Sequence, residues 1–130
     1  MATEKPERFT PAVRDAYLLP YDNWAHRVAV HRFVQDIPLS PSHPSYATLT
    51  EIEERLATLA ERPVMLGWGM RDWCFTPHFL ERFREFFPHA EVHRFDDCGH
   101  YVLEDARERI TPLLEAFLTR RSATVGSVTE

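Results

Sequence analysis

The sequence predicts an α/β fold organised on a parallel sheet, of which these residues supply two strands. Three observations predict it. The run "RPVMLGWG" (62–69) is apolar without polar alternation, which suits a strand covered on both faces, as parallel strands are. A second strand signal, "AEVHRF" (90–95), ends in a polar loop, as the first does. Helical patterns flank and separate the two, giving helix, strand, helix, strand, helix, with right-handed crossovers expected between parallel neighbours.

The elements follow in order. The first third is irregular, broken by prolines at 6, 11, 20, 38, 41 and 44. Thr10-Pro11 reads as a helix cap followed by proline at the first helical position, and starts a short helix through about Tyr17. Asn23 caps a second helix, "WAHRVAVHRFVQ", before the serine- and proline-rich loop "DIPLSPSHPSY". From Ser45, Leu49, Ile52, Leu56 and Leu59 form one apolar stripe, predicting a helix that ends near Glu61. After the first strand, Thr76-Pro77 restarts a helix. Its stripe of Phe79, Leu80, Phe83, Phe86 and Phe87 is stopped by Pro88. The last helix is expected from about Leu103 to Thr119, with Ile110, Leu113, Leu114, Phe117 and Leu118 on one face and a kink at Pro112.

This divides the chain into an irregular connecting segment with short helices (1–44), an α/β core (45–119) and a flexible tail (120–130). The segment "VMLGW" has the character of an interior strand with a neighbour on each side, and one neighbour is absent from these residues. An open sheet edge of that kind favours self-association or pairing with a partner chain.

Composition narrows the function. With 44% hydrophobic and 12% aromatic residues, a packed globular unit is expected rather than disorder. Twenty acidic and fifteen basic side chains give a net charge of −5, spread as mixed-sign helix faces, so nucleic acid is not an expected partner. "MATEKPERFT" has no apolar signal region and "VMLGWGM" is too short to span a bilayer, so no transmembrane segment is expected and a cytoplasmic location follows by default. Cys74 and Cys98 form no CxxC motif and read as free thiols, without an evident activating partner other than His100. The remaining histidines form no HExxH motif or compact ligand spacing, so neither metal nor cofactor is expected.

The residues that carry chemistry sit directly after the strands: Arg71-Asp72 after the first, and "DDCGH" (96–100) after the second. The carboxyl ends of adjacent parallel strands line the ligand crevice of an open α/β sheet, so Asp72 and His100 are expected to meet across it. A carboxylate on one imidazole nitrogen would fix the tautomer and leave the other nitrogen as a general base. The plainer reading makes Asp72 a turn residue that bonds backbone amides or pairs with Arg71, and His100 a turn residue at a helix start. Asp96 and Asp97 read as loop caps, and Gly99 as the residue that lets the backbone turn tightly. Trp73, Cys74 and Phe75 follow the candidate acid and either line an apolar substrate pocket or pack against core or cap. Trp68 reads as core. The charged stretches "ERFREFF" and "EDARERI" read as solvated helix faces.

"PVMLGWGMRDWCFTP" followed by "AEVHRFDDCGHYVLED" resembles the last two core strands of an α/β-hydrolase, with "G-x-x-D" (Gly69 to Asp72) carrying the acid and "G-H" (Gly99-His100) the base. Within that superfamily the chain is similar to the haloalkane dehalogenase-like branch, and most similar to the β-lactone decarboxylases of bacterial olefin biosynthesis. "AYLLPYDNWAHRVAVHRFVQDIPLSPSHPSY" resembles the stretch that leaves the cap domain and re-enters the core. The resemblance implies a partial α/β-hydrolase fold and a nucleophile-histidine-acid triad. It also implies an apolar substrate: a haloalkane, an ester or a long-chain β-lactone. The family's nucleophile, an aspartate in this branch and a serine in esterases, stands on a strand-to-helix elbow before the cap. No G-x-S-x-G or G-x-D-x-G elbow occurs here. The isolated chain is therefore expected to be inactive. Two alternatives stand beside that reading: a non-catalytic interaction module derived from a hydrolase, or one half of a two-chain enzyme.

Overall fold

The computed structural model describes residues 2–126, with side chains described through Arg120. Three helices come first: α1 (Pro11–Leu18), α2 (Trp24–Gln35) and α3 (Tyr46–Arg55). They are followed by β1 (Met65–Gly69), α4 (Pro77–Phe86), β2 (Glu91–Phe95), α5 (Val102–Asp105) and α6 (Arg107–Gly126). β1 and β2 pair in parallel, in a register that runs from Met65 opposite Glu91 to Gly69 opposite Phe95. This is the partial α/β arrangement expected from the sequence: two parallel core strands with their flanking helices.

Both strands carry side chains that helices cover. Trp68 packs its ring 6.0 Å from Phe83 of α4. Gly67 is where α6 comes closest, since a Cβ at that position would lie 2.9 Å from Ile110 Cδ1. The core gathers Phe95, Cys98, Ala106 and Ile110, with Met65, Val102 and Leu113 packed against it. Burial of such apolar side chains contributes roughly 1.5–3 kcal/mol each. Residues 65 to 68 are only half-buried, because β1 pairs with β2 alone among the described residues.

Cα proximity divides the chain into two units, one made of Met1–Arg8 together with Leu59–Glu130, the other of Phe9–Thr58. The division thus falls after Thr58, whereas the sequence suggests residue 44. Residues 2–8 join the α/β unit because Tyr101 donates its amide proton to the Ala2 carbonyl oxygen (2.9 Å) and Arg8 Nη1 donates to the Glu104 carbonyl oxygen (3.2 Å).

In the second unit α1 and α2 start at the caps expected for them. Thr10 Oγ1 accepts from the Val13 amide, with Pro11 at the first helical position, and Asn23 Oδ1 accepts from the His26 amide at 3.1 Å. α3 stops at Arg55 and tightens into a 3-10 turn (Leu56–Leu59) instead of continuing to Glu61. Its predicted apolar stripe is not buried, with Leu49 and Ile52 each about half exposed.

Two further expectations change. The C-terminal helix is interrupted at Ala106, whose φ of −123° and ψ of 20° end the first turn, and Pro112 lies inside α6, five residues into it. The tail expected from residue 120 begins as helix through Gly126, and residues 127–130 lie outside the described residues.

Candidate active site

The two polar loops are joined through the backbone before any side chain is considered. Beyond the strand ladder, the Met70 amide donates to the Phe95 carbonyl oxygen (3.0 Å) and the Arg71 amide to that of Cys98 (2.9 Å). The approach is so close that a Cβ on Gly69 would lie 2.2 Å from the Gly99 carbonyl oxygen, which leaves no room for a side chain. Gly99 itself does not adopt a positive φ, as no described residue does. It is small because a Cβ there would meet the Ala2 carbonyl oxygen at 3.0 Å. Close approach, rather than a tight turn, is its structural reason.

That joining brings together Asp72 and His100, 28 positions apart in sequence. His100 Nδ1 lies 3.0 Å from Asp72 Oδ2 and 3.1 Å from Oδ1. Asp72 Oδ1 also accepts from the amides of Cys74 (2.8 Å) and Phe75 (2.9 Å), so the carboxylate both caps its own turn and holds the imidazole. Arg71 does not pair with it: Arg71 Nε donates to the Asp96 carbonyl oxygen, and its Nη1 lies 3.4 Å from Glu4.

Asp72 is 8% exposed. Burial pushes its carboxyl up, but the bond to His100 and the two backbone amides outweigh that and hold it below its ordinary value. An ionised carboxylate only accepts, so the Nδ1 contact requires the proton to sit on Nδ1. In the neutral imidazole, Nε2 is then the nitrogen with the lone pair.

Aromatic rings surround the imidazole. Phe75 stacks on it at 5.5 Å, Trp73 stands at 6.1 Å and Tyr101 at 5.8 Å. Trp73 is 69% exposed, and Phe75 is held in turn by an edge contact with Phe79 at 5.6 Å. Cys74 is an exposed free thiol, while Cys98 is buried and free. Burial, with the nearby Asp97, pushes the Cys98 thiol up, away from nucleophilic use. Asp97 is engaged at the surface with Lys5 (2.8 Å) and Arg109 (2.7 Å), not with His100.

Sequence reading missed one residue at this site. Asp105, in the stretch expected to be a solvated helix face, is 0% exposed. It accepts from Thr3 Oγ1 and from the amides of Glu4 (3.0 Å), Lys5 (3.3 Å) and Gly99 (2.8 Å). Burial raises its carboxyl, and the Gly99, Thr3, Glu4 and Lys5 donors more than offset that, leaving it lowered. Three of its four donors lie about a hundred positions away, out of reach of any local pattern. Among the described residues, no three His, Cys, Asp or Glu side chains gather as a metal site, and no helix is long and apolar enough to cross a membrane.

Two parallel strands whose C-terminal loops present an acid and a histidine define a class, and the family comparison agrees: a model of the alpha/beta hydrolase fold matches residues 13–106. The chain belongs to the alpha/beta hydrolase family. Among its relatives, it is 50% identical over 113 residues to a cis-3-alkyl-4-alkyloxetan-2-one decarboxylase of Xanthomonas campestris pv. campestris, covering 87% of this chain and 38% of that protein. It is 42% identical over 115 residues to the protein of that name from Shewanella oneidensis (88% and 36%). Haloalkane dehalogenase 2 of Mycobacterium bovis is 30% identical over 120 residues (85% and 41%). The chain spans about two fifths of the length of these curated relatives.

Proposed function

We propose that this chain supplies the general base, His100, and its orienting acid, Asp72, to an α/β-hydrolase triad acting on an apolar substrate. The observation that carries the reading is the bond of 3.0 Å between His100 Nδ1 and Asp72 Oδ2 at the carboxyl ends of two adjacent parallel strands. With Nδ1 committed to Asp72, Nε2 takes a proton from a water or from a hydroxyl nucleophile, and the carboxylate stabilises the imidazolium that forms. Trp73, Cys74 and Phe75 line the apolar side of the substrate site. A β-lactone of the cis-3-alkyl-4-alkyloxetan-2-one type is the substrate class favoured by the two decarboxylase relatives, with a haloalkane as the competing class.

The nucleophile must come from outside these 130 residues, since no elbow motif occurs among them. The isolated chain is thus inactive towards these substrates. The test is a chimera in which the matched segment of the Xanthomonas campestris decarboxylase is replaced by this chain. It should turn over a cis-3-alkyl-4-alkyloxetan-2-one, and His100→Ala or Asp72→Asn should lower kcat by about 10³–10⁴-fold. Near-normal rates in both variants would overturn the assignment.

A second reading, a non-catalytic interaction module, is favoured by the sheet of the described residues, where β1 pairs only with β2 and leaves backbone groups on the strand edge open to another chain. Size-exclusion chromatography of the chain separates the two, because a clean folded monomer removes that support.

A further inference from the structure

Both backbone neighbours of His100 are tied to residues that the acid–base reading leaves unused. The Gly99 amide donates to Asp105 Oδ2 (2.8 Å), and the Tyr101 amide donates to the Ala2 carbonyl oxygen (2.9 Å). The same Asp105 carboxylate is held on its other side by Thr3 Oγ1 and by the Glu4 and Lys5 amides. Thr3 and Asp105 are both buried, and Thr3 Oγ1 further accepts from the Lys5 amide (3.0 Å), which curls the segment around the carboxylate. Residues 2–5 also reach the two loops individually. Lys5 pairs with Asp97 at 2.8 Å and Glu4 approaches Arg71 at 3.4 Å, one position before Asp72. The absence of a Cβ at Gly99 is what lets the segment come this close.

From this geometry we infer that Asp105 is a positioning residue for His100. It clamps residues 2–5 as a strap across the loop so that the imidazole is presented to Asp72. The inference rests on His100 being the base of the proposed function, and adds a residue that touches neither substrate nor reacting atoms. A buried carboxylate whose donors come from two distant segments fixes their separation, because losing any one donor leaves a buried charge partly unsatisfied. The distance from the Gly99 amide to the imidazole is one residue. A shift of the loop therefore lengthens the Nδ1 bond directly.

Proton NMR of the intact chain tests this without any turnover. The Nδ1 proton of His100, bonded to a carboxylate, gives a resonance far downfield of the amides, and Asp72→Asn should abolish it and so assign it. Thr3→Val removes the strap's hydroxyl at nearly constant volume, Asp105→Asn removes the charge, and Thr3→Ser keeps the hydroxyl. Thr3→Val and Asp105→Asn should broaden or erase the resonance and speed exchange of the Gly99 amide by about tenfold or more. Thr3→Ser should preserve both. If Asp105→Asn does not fold, Thr3→Val decides alone. A resonance present in the parent chain, lost in Asp72→Asn and unchanged in the strap variants overturns the strap while leaving the acid–base pair intact. Absence of any Asp72-dependent resonance in the parent overturns the pair itself, and the strap's role with it.

Discussion

Asp72, bonded to His100 across the sheet, and Asp105, in the helical turn just after that histidine, are both buried carboxylates, yet they are satisfied in opposite ways. Asp72 takes its two amide donors from the turn it begins, Cys74 and Phe75, and spends its remaining capacity on an imidazole. Asp105 takes its donors from the loop before it and from the start of the chain, and faces no titratable side chain in doing so. The difference teaches that burial alone does not separate the proposed catalytic acid from a structural one. A locally caged carboxylate keeps its geometry whatever the imidazole beside it does, which suits the acid–base role proposed for the pair. A carboxylate caged by distant segments holds the segments instead.

That contrast can be broken by stability measurements. Asp105→Ala orphans a hydroxyl and several amides in a closed setting and should cost about 3 kcal/mol in urea unfolding, whereas Asp72→Ala should cost about 1–2 kcal/mol. Equal losses would mean that the two carboxylates are structural equals.

Acid titration sharpens it further. Both carboxyls are held below the usual 3.8, so each binds its proton less readily in the folded chain than in the unfolded one. The stability they contribute is complete above that value and drains away as pH falls through the lower folded values. Urea midpoints followed from about pH 5 to about pH 2 should therefore fall less steeply in Asp105→Asn than in the parent chain. An unchanged slope would show that the lowered carboxyl is not coupled to folding. The smallest effect belongs to Trp73→Ala, which removes a largely exposed ring beside His100 and should leave unfolding stability within about 0.5 kcal/mol. A larger loss would make that ring a packing element.

What was legible in the sequence is what is encoded locally. β1, β2 and the G-x-x-D and G-H motifs lie in short runs whose apolar continuity and punctuation speak for themselves, and they place Asp72 and His100 by strand pairing alone. The apolar stripe of α3 was equally legible as periodicity. Periodicity does not say what covers a face, and Leu49 and Ile52 remain half exposed. Asp105 was illegible for the converse reason: "EDARERI" has the alternating charge of a solvated helix, and donors from residues 3–5, about a hundred positions away, together with the Gly99 amide, turn one of its acids inward. The interruption at Ala106 and the closeness of Gly99 to Ala2 are likewise products of tertiary approach.

The strand ladder continues past Gly69 and Phe95 through the amides of Met70 and Arg71. The backbones that carry Asp72 and His100 are consequently anchored by main-chain bonds at an interstrand repeat of about 4.8 Å, and the proposed Asp105 clamp acts on top of that anchor. An apolar-for-apolar exchange in the helices on either face should leave the His100–Asp72 distance unchanged, whereas a side chain at Gly69, whose Cβ would lie 2.2 Å from the Gly99 carbonyl oxygen, should lengthen it.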